Sequence, residues 1–266
     1  MSRKISVVEP AEKKIYDIFF LVCLLLFIVC TIFTGFSPLE LLMQSGQMWS
    51  FLADDFFPPA IPSQSKLEII ISSIITTIAM ALGATTIAAI LAFFVSLMAS
   101  EMVSPVPKAA KFIRGFVTFL RNIPALVWAF ILFSSLGIGT GVGFIALCIT
   151  SFAFLVRAFV ETMEDISVDC LESLQALGAS FWQRVVQGII PSCMSGFIAW
   201  FLYCIEVNVR ASTIVGMVGG GGIGMVLFSY IKSFNYNMAS TIIFMIAIIV
   251  IAVDRFTGFL RKELAK

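Results

Sequence analysis

No histidine occurs anywhere in the 266 residues, so imidazole-based metal sites, catalytic triads and proton relays are excluded. Charge is scarce as well: 12% of the residues are Asp, Glu, Lys or Arg, against roughly 25% in a soluble domain. With a net charge of +1, the chain lacks the basic excess by which nucleic-acid binders grip phosphate backbones. The cysteines Cys23, Cys30, Cys148, Cys170, Cys193 and Cys204 include no C-x-x-C pair, and four lie inside apolar runs. They read as buried small hydrophobes rather than metal ligands. No G-K-S or G-K-T follows any glycine run, so the phosphate-cradling nucleotide loop is missing. Any ATP that drives this protein must be hydrolysed on a separate subunit.

What remains is apolar. With 60% hydrophobic residues and a mean hydropathy of +1.05, the chain reads as an all-α, polytopic membrane protein. A hydrocarbon core about 30 Å thick needs about 20 mostly apolar helical residues. Six stretches approach that: Ile18 to Thr34, Ile69 to Leu97, Ile113 to Leu136, Val142 to Phe159, Ser195 to Val215 and Met238 to Arg255. Basic residues favour the cytoplasmic side of short loops. With both termini inside, Arg3, Lys4, Lys13, Lys14, Lys108, Lys111, Arg114, Arg157, Arg184, Arg255, Arg261, Lys262 and Lys266 fall inside or at the inner interface, and only Lys66 and Lys232 clearly outside. The expected organisation is a cytoplasmic tail over 1–17, an anchor over 18–34, an extracytoplasmic loop over 35–68, a transmembrane domain over 69–255 with a cytoplasmic loop at 161–191, and a cytoplasmic tail over 256–266. The first apolar run lacks a convincing small-x-small cleavage site and reads as a retained anchor.

Two outer features follow. The segment from Phe36 to Lys66 carries Asp54-Asp55 and Phe56-Phe57-Pro58-Pro59, which reads as a solvated loop, an interfacial aromatic cluster or a contact for substrate or partner. The second span, 29 residues from Ile69 to Leu97, would cover roughly 44 Å and must tilt or project. Its small and hydroxyl residues Thr76, Ala79, Gly83 and Thr85 predict a central packing helix rather than a lipid-facing one.

The cytoplasmic loop is patterned. Ser167 can cap a helix whose first turns carry Asp169 and Glu172, acids that suit the positive end of the helix dipole. Leu171, Leu174 and Leu177 recur every three residues and give that helix one apolar stripe. Gly178 can end it, Ser180 with Gln183 can form a capping box for a second helix, and Pro191 marks a break before the fifth span. A helix pair with an apolar stripe outside the membrane fits a groove on a partner. The alternative is an amphipathic connector lying on the inner leaflet.

Ionisable residues inside spans are costly and normally face protein or water. One cluster is Arg121-Asn122-Ile123-Pro124, where proline breaks the third span and frees backbone groups. The other is Glu206, Asn208 and Arg210 in the fifth. Glu206 and Arg210, four apart, can pair on one helix face. Alternatively Arg121, Asn208 and Arg210 line a polar route for an oxyanion, since guanidinium matches such oxygens, or they join helices together. After Arg210 the glycines Gly216, Gly219, Gly220, Gly221, Gly222 and Gly224 disfavour a stable helix at about 1 kcal/mol each, which predicts a re-entrant turn, hinge or gate.

The spacing Glu172, Gly178, Pro191 resembles the EAA signature (E-A-A-x3-G-x9-I-x-L-P) of ABC-importer membrane subunits. Ser173 and Leu174 replace its two alanines, Gly188 stands at its Ile and Ile190 at its Leu. Together with R-N-I-P-A-L-V-W-A at Arg121 to Ala129 and E-V-N-V-R-A-S-T-I-V-G-M-V-G-G-G-G-I-G at Glu206 to Gly224, the chain is similar to phosphonate-type permeases from about Ile69 to Arg255. That resemblance implies the type I ABC importer permease fold. It also implies a second copy of the chain, two ATPase subunits using ATP and Mg, an extracytoplasmic binding protein, and phosphonate, phosphite, hypophosphite or phosphate as cargo. Glu172, Ser173, Leu174, Leu177, Gly178 and Pro191 would form the ATPase-coupling loop. Permeases for methionine or other small solutes share the layout, and an ATP-independent channel or scaffold is a further alternative. A membrane-embedded enzyme fits poorly, because Glu161, Glu164, Asp165, Asp169 and Glu172 fall in the loop without partnering nucleophiles.

Overall fold

The computed structural model describes residues 10–104, 107–166 and 168–264, and among these no strand occurs. Ser167, Arg3, Lys4 and Lys266, named above, lie outside the described residues. The chain divides into two compact units, Met1–Asp55 and Phe56–Lys266.

The first unit holds α1 (Pro10–Thr34), α2 (Pro38–Met43) and α3 (Ser45–Ser50), followed by a π turn at Phe51–Phe56. An unbroken apolar run with no glycine before Gly35 makes α1 a helix long enough to cross a bilayer. None of its membrane window is buried, so Cys23 and Cys30 are exposed rather than core. The expected outer loop is therefore partly helical. Ser37 caps α2 by accepting from the Glu40 N–H at 3.3 Å, and Pro38 opens the first turn, where its missing N–H costs nothing.

The second unit is a helical bundle of α4 (Gln64–Ala99), α5 (Pro107–Arg121), α6 (Ala125–Leu136), α7 (Thr140–Ile166), α8 (Val168–Ala176), α9 (Phe181–Gln183), α10 (Ile190–Val215), α11 (Gly222–Lys232) and α12 (Tyr236–Leu264). The hub is α7, buried over 56% of its membrane window against 33% for α4 and 22% for α12. Its helix outlasts the predicted span: Thr162 and Met163, expected in an aqueous loop, are buried in its last turns. Around it, Ala88 and Ala92 of α4 and Phe197 of α10 close the largest core, where the Phe159 and Phe197 rings lie 4.6 Å apart.

The 36 residues of α4 span roughly 54 Å. Its packing face is Thr77, Ala81, Ala84, Thr85, Ala88 and Ala92, whereas Ala79 is exposed, so the small-residue stripe lies rotated from the predicted one. The opposite face, with Ile75, Leu82, Ile90 and Phe94, is exposed, so α4 packs on one side only. Its approach from Phe57 to Ser63 is held rather than loose. Asn237 donates to the Pro58 carbonyl at 3.0 Å, the Ala60 N–H donates to the Asn237 carbonyl at 3.2 Å, and Thr241 donates to the Ala60 carbonyl at 2.8 Å.

Two predicted spans change form. The third is two helices, α5 and α6, meeting at 84° across Asn122 to Pro124. Pro124 has no N–H to continue the ladder and pushes Ile123 out of the helical region. The N–H groups before it tighten instead, Asn122 to the Phe119 carbonyl at 3.2 Å and Ile123 to Leu120 at 3.3 Å. The 15 residues of α5 reach roughly 22 Å, short of a bilayer core. In the fifth span Pro191 does not break the chain: α9, a π turn at Arg184–Ile189 and α10 run on from Phe181 to the segment Gly216–Gly220, where Val218 (φ −99°, ψ 18°) and Gly219 (φ 103°, ψ 2°) leave the helical region and kink the chain. The π turn absorbs the missing N–H so that the ring enters near the start of α10 without ending the helix. Finally, α12 carries the expected C-terminal tail as helix to Leu264.

Candidate functional site

The elbow between α5 and α6, with α7 and α10, borders an open cavity of about 280 Å³ lined by Arg121, Pro124, Thr150, Ser151, Tyr203 and Asn208 among others. Arg121, at the last turn of α5, has no hydrogen bond or ion pair among the described residues. Asn208 is 4% exposed and donates through Nδ2 to Thr85 Oγ1 at 2.7 Å and Ser151 Oγ at 2.5 Å. The Thr85 hydroxyl itself donates to the Ala81 carbonyl at 2.7 Å, so its oxygen must accept, which fixes which way the amide faces. Asn208 thus ties α4, α7 and α10 together at the cavity wall. Phe154, Trp200 and Tyr203 pack edge-on or tilted at 5.7 to 5.9 Å along one side.

Glu206 and Arg210 do not join that cavity lining. Glu206, 8% exposed at its side chain, pairs with Arg210 through Oε1 and with Arg261 through Oε2, the latter at 2.8 Å. One carboxylate between two guanidiniums leaves one unit of positive charge uncompensated. The Arg261 guanidinium also lies over the Tyr203 ring at 5.9 Å, so α12 braces an aromatic of the cavity wall. Asn122 is exposed and likewise outside the lining.

The residues of the expected coupling loop form a tight hairpin. Gly178 adopts φ +78°, the Gly178 N–H donates to the Gln175 carbonyl at 3.0 Å and the Ala179 N–H to Leu174 at 3.0 Å, the paired bonds of a Schellman ending to α8. The Ser180 N–H donates to Gln183 Oε1 at 2.8 Å, one limb of the capping box that opens α9. The leucine stripe divides: Leu171 is buried, Leu174 half-buried and Leu177 exposed, with Trp182 exposed beside it in sequence. Gly188 explains the first two, because a Cβ there would meet Leu174 Cδ1 at 3.0 Å and Leu171 Cδ2 at 3.4 Å. The absent side chain lets α8 lie against the π turn at Arg184–Ile189 that leads into α10. Glu172 and Ser173 face outward.

The glycine segment is a packed turn. Gly219, Gly221 and Gly222 take positive φ, the region only glycine occupies freely. Gly216 and Gly224 are helical and serve close approach instead: a Cβ on Gly224 would overlap the Thr213 carbonyl oxygen. Gly220 faces Gly143 of α7, where a Cβ would sit 2.5 Å from the Gly220 carbonyl oxygen. Thr77 of α4 accepts from the Ile223 N–H at 2.8 Å and so caps α11.

Sequence reasoning missed Thr150, Ser151, Tyr203 and Arg261. Hydroxyls within the apolar α7 run were the available signal for the first two. Nothing local marks Tyr203 or Arg261, whose roles arise only when α12 lies along α10.

Residues 92–266 match the family described as binding-protein-dependent transport system inner membrane component. The chain belongs to this family. As such it is a multi-pass transport subunit and not an enzyme. This permease is 33% identical over 188 residues to the phosphate-import permease protein PhnE of Mycolicibacterium smegmatis, an alignment covering 71% of the chain but 35% of that protein. It therefore spans about a third of that relative's length. It is 32% identical over 193 residues to the phosphite transport system permease protein PtxC of Stutzerimonas stutzeri, covering 73% and 70% of the two chains. It is 34% identical over 119 residues to the putative cryptic phosphonate transport system permease protein PhnE2 of Escherichia coli, covering 45% and 98%. Its fold superposes on a structure titled as an inward-facing conformation of the MetNI methionine ABC transporter with TM-score 0.69 at 18% identity, over 77% of this chain and all of that one. The permease thus has the type I importer fold.

Proposed function

We propose that this permease is the membrane-spanning subunit of an ATP-driven importer that carries a phosphorus oxyanion, such as phosphonate, phosphite, hypophosphite or phosphate, inward across the cytoplasmic membrane. The observation that carries the cargo reading is the Arg121 guanidinium, unpaired among the described residues, at a cavity that the hydroxyl residues Thr150, Ser151 and Tyr203 also line. A guanidinium with hydroxyl neighbours matches a tetrahedral oxyanion, whereas the Asn208 amide hydrogens are already given to Thr85 and Ser151 and hold the wall in place. The relatives named for phosphate, phosphite and phosphonate support the same chemistry.

In this reading two copies of the permease face each other, each hairpin docked on one of two ATPase subunits, with an extracytoplasmic protein delivering the cargo. The partner ATPase binds ATP and Mg. Both termini and the hairpin from Glu172 to Gly178 face the cytoplasm. ATP binding closes the ATPase pair and pulls on the hairpin; the spans rock so that the cavity opens outward, and hydrolysis resets them. The Schellman ending and the capping-box bond suit the hairpin to this task, because a lever must not bend.

Reconstitution with the ATPase and binding protein, comparing uptake of phosphonate, phosphite, hypophosphite and phosphate, tests the reading. Uptake of at least one, falling tenfold or more in Arg121→Gln, is expected. If none is taken up or stimulates ATP hydrolysis, the oxyanion assignment is wrong.

A further inference from the structure

The inner end of the bundle carries a cluster of ion pairs that the cavity and the hairpin do not use. Glu164, in the last turns of α7, accepts from the Glu101 N–H at 3.2 Å and the Ser100 hydroxyl at 3.4 Å, and pairs with Arg114 of α5. Arg114 Nε in turn donates to the Ala99 carbonyl at 2.7 Å, the last residue of α4. One carboxylate and one guanidinium thereby join the ends of α4 and α7 to the middle of α5. On one side the knot lies four residues before Val168, where α8 begins. On the other it grips α5, whose last residue, two turns or about 10 Å further on, is Arg121 at the cavity. Beside the knot a second cavity, of about 120 Å³, is lined by Arg114, Glu164 and a second ion pair, Arg157 Nε to Glu161 Oε1 at 2.6 Å.

The geometry points to the Arg114–Glu164 pair as the tie by which the α8–α9 hairpin sets the position of α5 and so of Arg121. This rests on the importer reading above. The pair is a positioning element: neither residue reaches the cargo cavity. Three features suit it to the task. Its bonds reach α4, α5 and α7 at once, so a displacement of the α7 end cannot leave α5 behind. Its side chains are 35% and 27% exposed, so water can carry part of the cost of breaking and remaking the contact. The adjoining cavity leaves room for movement and offers alternative partners, because Glu161 and Arg157 line the same space. A transmitted motion needs an element with two discrete arrangements, and four charges around one cavity supply that.

The test uses the permease bound to its ATPase in membrane vesicles, with Cys23 and Cys30 replaced by serine and Ile123→Cys as a reporter on the cavity wall. A membrane-impermeant maleimide reads accessibility with and without ATP plus vanadate. In the parent the labelling rate should change at least threefold with nucleotide. In Glu164→Gln the ratio should fall to about one while the ATPase still co-purifies. The swapped pair Arg114→Glu with Glu164→Arg should recover at least a third of the parent response, which a purely structural loss would not allow. A full nucleotide response in Glu164→Gln, or no recovery in a swapped variant that folds and binds the ATPase, overturns the tie while leaving the importer reading intact. A parent that binds no ATPase overturns both.

Discussion

Removing Arg210 and Arg261 one at a time should cost little, and removing both should cost much more than the sum. Glu206 is 8% exposed and each of its oxygens has its own guanidinium, so either arginine alone still leaves the buried carboxylate paired. Arg210 is 52% exposed and Arg261 33% exposed at the side chain, which keeps each single loss near the value of a solvent-accessible pair, about 1 kcal/mol or less. With both gone, a buried charge stands unpaired, at about 3–5 kcal/mol. The interaction term is then at least about 1–3 kcal/mol, well above the few tenths expected of independent sites. A domain of this size shifts its midpoint by about 2–4 °C per kcal/mol. Arg210→Ala and Arg261→Ala should therefore each lower the thermal midpoint by no more than about 4 °C, and the double variant by about 6–20 °C. Adding Glu206→Gln to the double variant should restore most of the loss, since a neutral amide needs no cation. Differential scanning fluorimetry on the purified permease in nanodiscs reads all four variants. Strict additivity, or a triple variant as unstable as the double, would refute joint holding of Glu206.

Gly178→Ala meets no neighbour within 4 Å, so its cost is the left-handed backbone alone, about 1–2 kcal/mol or a factor of 5–30 in the closed hairpin; co-purified ATPase should fall, and Gly178→Asn, which tolerates that backbone better, should retain more of it. Equal loss in both would place the effect elsewhere. Asn208→Leu should destabilise the permease by about 1–3 kcal/mol, at about 0.6 and at most 1.7 per hydrogen bond in membranes, and a double-mutant cycle with Thr85→Val should be non-additive. Phe234 ends α11 at φ +56° with the Asn235 N–H bonded to the Tyr230 carbonyl at 3.0 Å. Phe234→Gly should raise stability by about 0.5–1 kcal/mol by relieving that backbone, and a lower thermal midpoint would contradict the strain.

The hairpin was legible residue by residue because its determinants are local: a glycine that must be left-handed, and a serine and glutamine at capping spacing. The bilayer's demand for length and apolarity made the spans legible in the same way, yet their ends were not. Thr162 and Glu164 look like loop residues until α7 is seen to continue into packed last turns, and Pro191 looks like a break until a π turn absorbs it. The charges were the hardest to read. Glu206 and Arg210 are four apart and their pairing is visible in sequence, but Arg261 lies 55 residues from Glu206 and joins it only through the packing of Val209 and Ile205 on Ile249 and Val253. Arg114 and Glu164, 50 residues apart, were hidden for the same reason. Gly188 was legible as a departure from a motif but not as a contact, since its meaning is the two leucine tips it admits.

These contacts also decide which joint can move. Six glycines in nine residues invite the reading of a hinge, but the turn they build is close-packed: Gly220 abuts Gly143, Gly224 abuts the Thr213 carbonyl, and the Ile223 N–H is held by Thr77. Glycine there provides proximity, and a joint without free volume does not swing readily. The elbow at Asn122 to Pro124 is different. Among the described residues the side chains of Arg121 and Asn122 make no hydrogen bond, the turn is held by backbone bonds of 3.2 to 3.3 Å, and one wall is the 280 Å³ cavity itself. Midway along α5 sits the Arg114–Glu164 knot. A rod gripped at its middle carries a loosely tied end along with the grip. A pull on the hairpin should therefore be felt at Arg121 before it is felt at the glycines.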